Sequence, residues 1–195
     1  LGIPGLIDAY SSAALLSIDD VKISSWEEKK IISTAAIIVG ADQVTKQIVT
    51  HTIEHTSEGI VVIKGFLVFV NWYNTGAAWS ILQDSSIALA ILSLVAMCAL
   101  IRFRNHFEIE TNMGKIGMGM LIGGIIGNMI DRIAYQHVID FIRFYIDRRG
   151  GGSLGYPAFN IADIGICIGV GILFVMAWRG QKELERIEKN KKKEN

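Results

Sequence analysis

The chain has 195 residues, and its composition already excludes several classes of protein. Hydrophobic residues make up 51% and the mean hydropathy is +0.39, whereas only 19% are charged, against roughly 25% in an average soluble domain. The 19 basic residues balance 19 acidic ones, so binding of nucleic acid through excess positive charge is not expected. Only two prolines occur, which excludes a proline-rich linker. These numbers indicate a membrane protein.

Four mostly apolar segments predict helices that span the membrane. A span needs about 20 residues, and the remaining chain is too short to cover four such helices in water. We therefore predict a mainly α membrane protein with four transmembrane helices and a small extracytoplasmic β-element between helices one and two. The predicted helices lie at about residues 31–49, 85–103, 114–134 and 160–178.

The basic residues predict the orientation of these helices, because lysine and arginine are retained on the cytoplasmic side. Thirteen of the 19 fall before the first helix, between the second and third helices, or in the tail. Five fall in the other two loops, and Lys46 lies within the first helix. Both termini are therefore expected in the cytoplasm, with external segments at about residues 50–84 and 131–160.

These features divide the chain into a membrane domain, residues 28–180, and a basic cytoplasmic tail, residues 181–195. Residues 1–27 have no basic n-region, so a cleaved secretory signal is not expected, and the sequence assigns them no role. Cys98 and Cys167 both fall in apolar runs, where we expect buried packing rather than a disulfide or a thiolate metal site.

The first external segment changes from helical to strand-like composition. Residues 59–73 are rich in β-branched and aromatic residues, with a turn expected at Lys64-Gly65. We predict a small apolar β-element on the outer membrane surface. Three aromatic side chains suit the belt found at membrane interfaces, namely Trp72, Tyr73 and Trp79.

Two short motifs match catalytic patterns but lack the context that those patterns need. His51-Thr-Ile-Glu54-His55 matches H-x-x-E-H, in which a helix places both histidines on one face to bind zinc. Here the motif falls where the first helix gives way to the β-rich segment, so a zinc protease is retained only as an alternative. Gly151–Gly155 matches G-x-S-x-G, but all four histidines precede Ser153, and we expect a flexible glycine loop.

Charged side chains inside the apolar helices are candidate functional residues, since an ionised group at the membrane centre costs about 2.5–3.5 kcal/mol. Asp42 and Lys46 are spaced i, i+4 on the first helix and are expected to form an ion pair. The pair either belongs to a functional site or only helps the helix to insert and pack.

The third predicted helix combines a bare face with a polar outer end. Gly119, Gly123 and Gly127 recur every four residues, which predicts close approach of a neighbouring helix. The polar residues at its outer end are Asn128, Asp131 and Arg132. We expect the aspartate and the adjacent arginine to compensate each other's charge, which suits an organising role for the aspartate. The arginine either supports the structure or contacts substrate.

Two further aspartates suggest the chemistry. Asp140 lies in the apolar stretch Val138–Ile142 with no adjacent base, and Asp163 follows Pro157 and Asn160 in the opening turn of the fourth helix. Capping of the fourth helix would explain an aspartate at position 163 but not the one at position 140. Two carboxylates brought together beside a membrane would share a proton and titrate as a coupled pair. In an aspartic protease, one such carboxylate activates water and its protonated partner donates to the peptide carbonyl.

With these residues in view, the chain resembles the lipoprotein signal peptidases, the type II signal peptidases of bacterial inner membranes. One departure is the loop Tyr145–Tyr156, which carries Arg148-Arg149 and three consecutive glycines and looks longer than the family needs. Five blocks match in the family's order between about residues 31 and 178: Asp42–Lys46, Asn74–Trp79, Gly123–Arg132, Val138–Ile142 and Pro157–Asp163.

The resemblance implies an aspartic endopeptidase of the inner membrane that cleaves diacylglyceryl-modified prolipoproteins just before the lipidated cysteine. Asp140 and Asp163 match the family's catalytic pair. The positions that match residues shaping the site or contacting substrate are Asp42, Lys46, Asn74, Asn128, Arg132 and Asn160. The β-rich segment matches the family's substrate-clamping cradle. The implied partners are lipidated prolipoproteins and membrane lipid, with no metal, cofactor or nucleic acid, a monomeric enzyme, a site near the outer face and inhibition by globomycin.

A non-enzymatic membrane protein is the second hypothesis. In a small four-helix transporter, Asp42, Asp140 and Asp163 would be proton or cation sites. That hypothesis predicts inverted repeats between the two halves of the chain, and the sequence shows none.

Overall fold

The computed structural model describes residues 26–55, 58–76, 85–104 and 111–194, and these form four helices and four strands. The helices are α1 (Trp26–Thr52), α2 (Ser86–Arg102), α3 (Asn112–Tyr135) and α4 (Ile161–Glu194). The strands are β1 (Ile60–Ile63), β2 (Leu67–Asn74), β3 (Val138–Asp147) and β4 (Ser153–Gly155).

All four predicted helices are present, and α4 differs in length from the prediction. It continues to Glu194, through residues that we expected to form a separate tail. Lysine and glutamate, which dominate those residues, are good helix formers, so the helix need not end with its apolar part. By length and composition, α3 and the segment Ile161–Lys182 of α4 are suited to cross a bilayer, whereas α2 is apolar but shorter.

Helix α3 lies at the centre of the helical bundle and packs against the other three helices. A Cβ atom on Gly119 or Gly123 would lie 2.7 Å from a backbone oxygen of α1, so the predicted close approach is confirmed. A second glycine face, which the sequence analysis missed, lies against α4. There a Cβ atom on Gly124 would lie 2.3 Å from the carbonyl oxygen of Ala162. The helices therefore meet backbone to backbone.

The strands form one antiparallel sheet in the order β1-β2-β3-β4. Strands β1 and β2 form the predicted hairpin, and Gly65 in its turn has a φ of +73°, as the turn requires. The sheet is larger than predicted because β3 and β4 join it. The expectation of a flexible glycine loop at residues 151–155 was wrong in part. Glycines 150–152 form the turn with positive φ, but residues 153–155 form β4, paired with β3.

The sheet packs on one end of the helical bundle. Val49 in the last turn of α1 and Ile53, directly after the helix, form a buried cluster with Phe141 of β3. Helix α3 is capped by Gln136, whose left-handed backbone (φ 64°) turns the chain directly into β3. This short connection places Asp140 beside the ends of the helices.

Two further expectations concern side chains that lie on the surface or outside the described residues. Cys98 and Cys167 lie in helices as expected, but both are exposed on the protein surface, so the expectation of buried packing was wrong. Each of these cysteines lies on a helix surface that the rest of the described chain leaves uncovered. The aromatic belt is represented by Trp72 and Tyr73, which are partly exposed, whereas Trp79 lies outside the described residues.

Candidate active site

Asp140 lies on β3 with only 4% of its surface exposed, and an amide group holds each of its carboxylate oxygens. Asn74 donates from Nδ2 to Oδ2 at 2.9 Å, and Asn160 donates from Nδ2 to Oδ1 at 2.8 Å. Burial, followed by the nearby carboxylate of Asp163, raises the pKa of Asp140 from 3.8 to about 7. The two amide hydrogen bonds and the Lys46 cation act in the opposite direction.

Asp163 lies in the first turn of α4 and caps that helix reciprocally with Asn160. The backbone N–H of Asn160 donates to Asp163 Oδ2 at 3.1 Å, and the N–H of Asp163 donates to Asn160 Oδ1 at 2.9 Å. The other oxygen, Oδ1, accepts a hydrogen bond of 2.8 Å from Asn128 Nδ2. The aspartate is therefore both a cap and a member of the polar cluster.

Both carboxylates line one cavity of about 680 Å³. Besides the aspartates, its polar lining includes Asn74, Asn128 and Arg132. Its apolar lining on α4 consists of Ile164, Cys167 and Ile168. A bond placed beside the carboxylates would thus have an apolar wall next to it, which suits a ligand with both a polar and an apolar part.

Arg132 projects into this cavity and is 9% exposed. Its Nη2 donates to the carbonyl oxygen of Gly76 at 3.3 Å, and its Nη1 lies 3.4 Å from the carbonyl oxygen of Asn128. Within the described ranges, its buried Nε has no hydrogen-bond partner. A buried N–H group without a partner is costly, so this nitrogen marks a polar position that the described residues leave unfilled.

The expected compensation between Asp131 and Arg132 was wrong. Asp131 instead forms an ion pair with Lys46, 2.8 Å from Oδ2 to Nζ, and accepts a hydrogen bond from the backbone N–H of Ile139 at 3.1 Å. Adjacent helical residues point about 100° apart, so Asp131 faces α1 while Arg132 faces the cavity.

The expected ion pair between Asp42 and Lys46 is confirmed, with 2.7 Å between Oδ2 and Nζ and at most 1% of either side chain exposed. Asp42 Oδ1 also accepts the backbone N–H of Ala162 at 2.9 Å, so the pair ties α1 to the start of α4. Gln43, which the analysis overlooked, donates to Asp131 Oδ1 at 2.9 Å. Its only sequence signal was an amide inside an apolar helix.

The histidines of the H-x-x-E-H motif do not share a helix face. Helix α1 ends at Thr52, so His55 lies beyond it, and its Nδ1 lies 2.9 Å from the backbone oxygen of Asn71. Tyr73 is stacked between His55 and His137, with ring centroids 3.7 and 3.9 Å apart. Over the part of the chain that the structure describes, no cluster of three or more histidine, cysteine or acidic side chains is arranged to hold a metal ion.

Side-chain hydrogen bonds and ion pairs thus connect the two cavity aspartates into one network with Asp42, Lys46, Asn74, Asn128, Asp131 and Asn160. It extends from the ion pair on α1, through the asparagines at the ends of α3 and α4, to both carboxylates.

Comparison with known proteins identifies the family. The family model for "Signal peptidase (SPase) II" matches residues 34–179. The lipoprotein signal peptidase of Anoxybacillus flavithermus is 30% identical over 149 residues, covering 76% of this chain and 85% of that protein. The lipoprotein signal peptidase of Geobacillus thermodenitrificans is 33% identical over 141 residues, covering 72% of this chain and 84% of its own length.

A solved structure has the same fold. A bacterial membrane enzyme determined by the in meso method superimposes with a TM-score of 0.68 at 30% identity, covering 80% of this chain and 91% of that one. The family match includes most of α1, all of α2, α3 and the sheet, the first part of α4, and both cavity aspartates. The chain therefore belongs to the signal peptidase II family of membrane peptidases.

Proposed function

We propose that this chain removes signal peptides from diacylglyceryl-modified prolipoproteins, cleaving just before the lipidated cysteine, with Asp140 and Asp163 as its catalytic pair. The observation that carries the proposal is a cavity into which two carboxylates project from different elements, one of them with a pKa near neutrality. A pair that holds one proton between them supplies both a base and an acid for peptide hydrolysis.

In the proposed mechanism, ionised Asp163 takes a proton from water as the water oxygen attacks the peptide carbonyl. Protonated Asp140 donates its proton to the carbonyl oxygen, which gives a neutral tetrahedral diol. The diol then collapses: one hydroxyl proton passes to an aspartate, the other aspartate protonates the leaving nitrogen, and the C–N bond breaks. Each aspartate performs proton transfer only, so no covalent intermediate forms.

The neighbouring polar groups have separate proposed roles. Asn74 and Asn160 hold the two oxygens of Asp140, and Asn128 holds Asp163. Arg132, which lines the cavity, receives a carbonyl oxygen of the substrate through its guanidinium group. The ion pairs at the other end of the network keep α1, α3 and α4 in register.

The first test of the function is a cleavage assay with purified protein and a lipidated prolipoprotein. We expect release of the signal peptide, unchanged by a strong chelator, because proton transfer between carboxyl groups uses no metal. The variant His51→Ala/His55→Ala should also keep its activity. Loss of activity with chelator and recovery with zinc would favour the zinc protease, and the absence of any cleavage would favour the transporter.

The pH dependence of cleavage should show that the site needs one protonated carboxyl group. Because the pKa of Asp140 is raised to about 7, its carboxyl group is protonated below that pH and loses the acid function above it. We therefore expect kcat/KM to fall as the pH rises through about 7. A kcat/KM that stays constant from pH 6 to 9 would contradict the role of Asp140 as the acid.

We further propose that the four helices all cross the inner membrane, with both termini in the cytoplasm and the sheet outside. The support is the asymmetry of the basic residues, thirteen of the 19 lying on the side of the termini. A cysteine introduced at Ser153 should react with an impermeant thiol reagent added to intact cells, whereas a cysteine introduced at Asn190 should not. Because Cys98 and Cys167 are exposed, the experiment uses a background in which both are serine. The opposite labelling pattern would contradict this topology.

A further inference from the structure

Lys46 uses all three of its N–H donors inside the protein, where only 1% of the side chain is exposed. Two donors contact Asp42 Oδ2 at 2.7 Å and Asp131 Oδ2 at 2.8 Å. The third donates to Asn128 Oδ1 at 3.1 Å. The two carboxylates already compensate the buried cation, so charge pairing does not account for the third contact.

The chemistry of these groups dictates the orientation of the Asn128 amide. An ammonium group can only donate, so the amide must turn its oxygen toward Lys46, and its nitrogen then faces Asp163. Asn160 Nδ2 donates to the same oxygen at 3.0 Å, which reinforces the orientation. A flipped amide would direct its NH₂ group at the ammonium of Lys46 and its oxygen at the carboxylate of Asp163. Both contacts would then be repulsive.

We propose that Lys46 is a positioning residue that acts through Asn128 on Asp163. By fixing the amide, it keeps an N–H group directed at Asp163 Oδ1, which holds that carboxylate in the orientation from which it accepts the proton of water. The inference rests on the proposed role of Asp163 as the base. Under this proposal Lys46, which lies on α1, affects the catalytic rate in addition to holding the helices together.

The test must separate this role from the stability of the ion pairs, because Lys46→Met alone leaves two buried carboxylates uncompensated. We therefore compare Asp131→Asn with Lys46→Met/Asp131→Asn. The double variant has the same net charge as the wild type. Relative to Asp131→Asn, it lacks the donor to Asn128 and the cation that pairs with Asp42. Thermal unfolding in detergent verifies that each variant is folded.

We expect kcat to be roughly 100-fold lower in the double variant than in Asp131→Asn, because a misdirected base slows the chemical step. KM should change by less than about threefold, since the side chain is not proposed to contact substrate. The decisive comparison repeats the Lys46→Met step in an Asn128→Ala background, where its effect on kcat should nearly disappear. An equal loss in both backgrounds would overturn the proposal in favour of a purely structural role.

The NMR signal of the Asn128 side-chain amide provides a measurement that does not depend on activity. In protein labelled with ¹⁵N-asparagine, the side-chain signal of Asn128 is assigned by its loss in Asn128→Ala. We expect that signal to be retained in Asp131→Asn and to shift or broaden in Lys46→Met/Asp131→Asn. An unchanged signal would overturn the proposal. A wild-type chain that cleaves no prolipoprotein would instead contradict the proposed function, while the amide signal would still decide whether Lys46 orients Asn128.

Discussion

Asp140→Asn and Asp163→Asn should each lower the rate of prolipoprotein cleavage by at least about 10³-fold, near the upper range for a lost acid–base group. Asparagine keeps the shape of aspartate but neither holds nor releases the proton that the mechanism needs. At position 163 its oxygen can still accept the N–H of Asn160, so the cap of α4 should survive. The initial rate of signal-peptide release in detergent micelles measures the effect.

A matched control lies on the same strand. Asp147, at the end of β3, is exposed and outside the cavity lining, so Asp147→Asn should retain activity within about twofold, as surface substitutions usually do. Thermal unfolding of all three variants verifies that they fold. Substantial turnover by either Asp140→Asn or Asp163→Asn would contradict the catalytic assignment, whatever its effect on stability.

The pH dependence of the stability of Asp140→Asn provides a second measurement on the Asp140 carboxyl group. A raised pKa means that the folded protein binds the Asp140 proton more tightly than the unfolded chain does. Wild-type stability contributed by this group is therefore greatest at low pH and is lost as the pH rises toward about 7. Asparagine removes that dependence, so the variant should gain stability relative to the wild type as the pH increases through this range.

Local patterns in the sequence predicted those features that depend on local structure. The four helices follow from mostly apolar runs, and the β1–β2 hairpin follows from β-branched residues on both sides of Gly65. The contact between Asp42 and Lys46 follows from their spacing of four residues on a helix. Each of these inferences requires only neighbours within one turn or one hairpin.

Features that depend on the tertiary structure were not predictable in the same way. Asp131 was expected to pair with the residue beside it, but its cation, Lys46, is 85 positions away on another helix. Strand β3 contains Asp140 in an apolar stretch whose pairing with β2 depends on the return of the chain after α3. Exposure of Cys98 and Cys167 depends on which helix faces the other helices leave uncovered.

The site itself was recognisable before its geometry was known, for a physical reason. A buried polar group costs free energy unless it is paired, so asparagines and aspartates beside membrane helices imply partners. The sequence does not show which partner each one finds. The contacts that join Asn128 to both Lys46 and Asp163 arise only where α1, α3 and α4 meet.

The second large effect concerns the lipid on the substrate. We expect a prolipoprotein peptide with an unmodified cysteine to be cleaved with a kcat/KM at least about 100-fold below that of its diacylglyceryl form. The acyl chains hold the lipidated cysteine at a fixed depth, which would place the adjacent peptide bond beside Asp140 and Asp163. The apolar residues that follow Asp163 on α4 and line the cavity, Ile164 and Ile168, provide a surface along which such a chain can lie.

Membrane attachment alone must be separated from this positioning effect. The control is a peptide with unmodified cysteine that carries its acyl chain at its amino terminus, so that it enters the same micelles without lipid at the cleavage site. Mixed micelles of fixed composition give equal local concentrations, and initial rates of product release give kcat/KM for each of the three peptides. If attachment were sufficient, the control peptide would match the diacylglyceryl substrate.

The three peptides therefore distinguish two kinds of enzyme. If the control peptide is cleaved as slowly as the unmodified peptide, the lipid acts by fixing the position of the scissile bond. The control peptide and the diacylglyceryl substrate are equally concentrated in the micelle, so concentration cannot explain their different rates. Comparable kcat/KM values for all three would contradict the lipid requirement but leave the aspartate mechanism intact. In that case the cavity would select its substrates through Arg132 and the asparagines alone, and the chain would be a more general protease of the membrane surface.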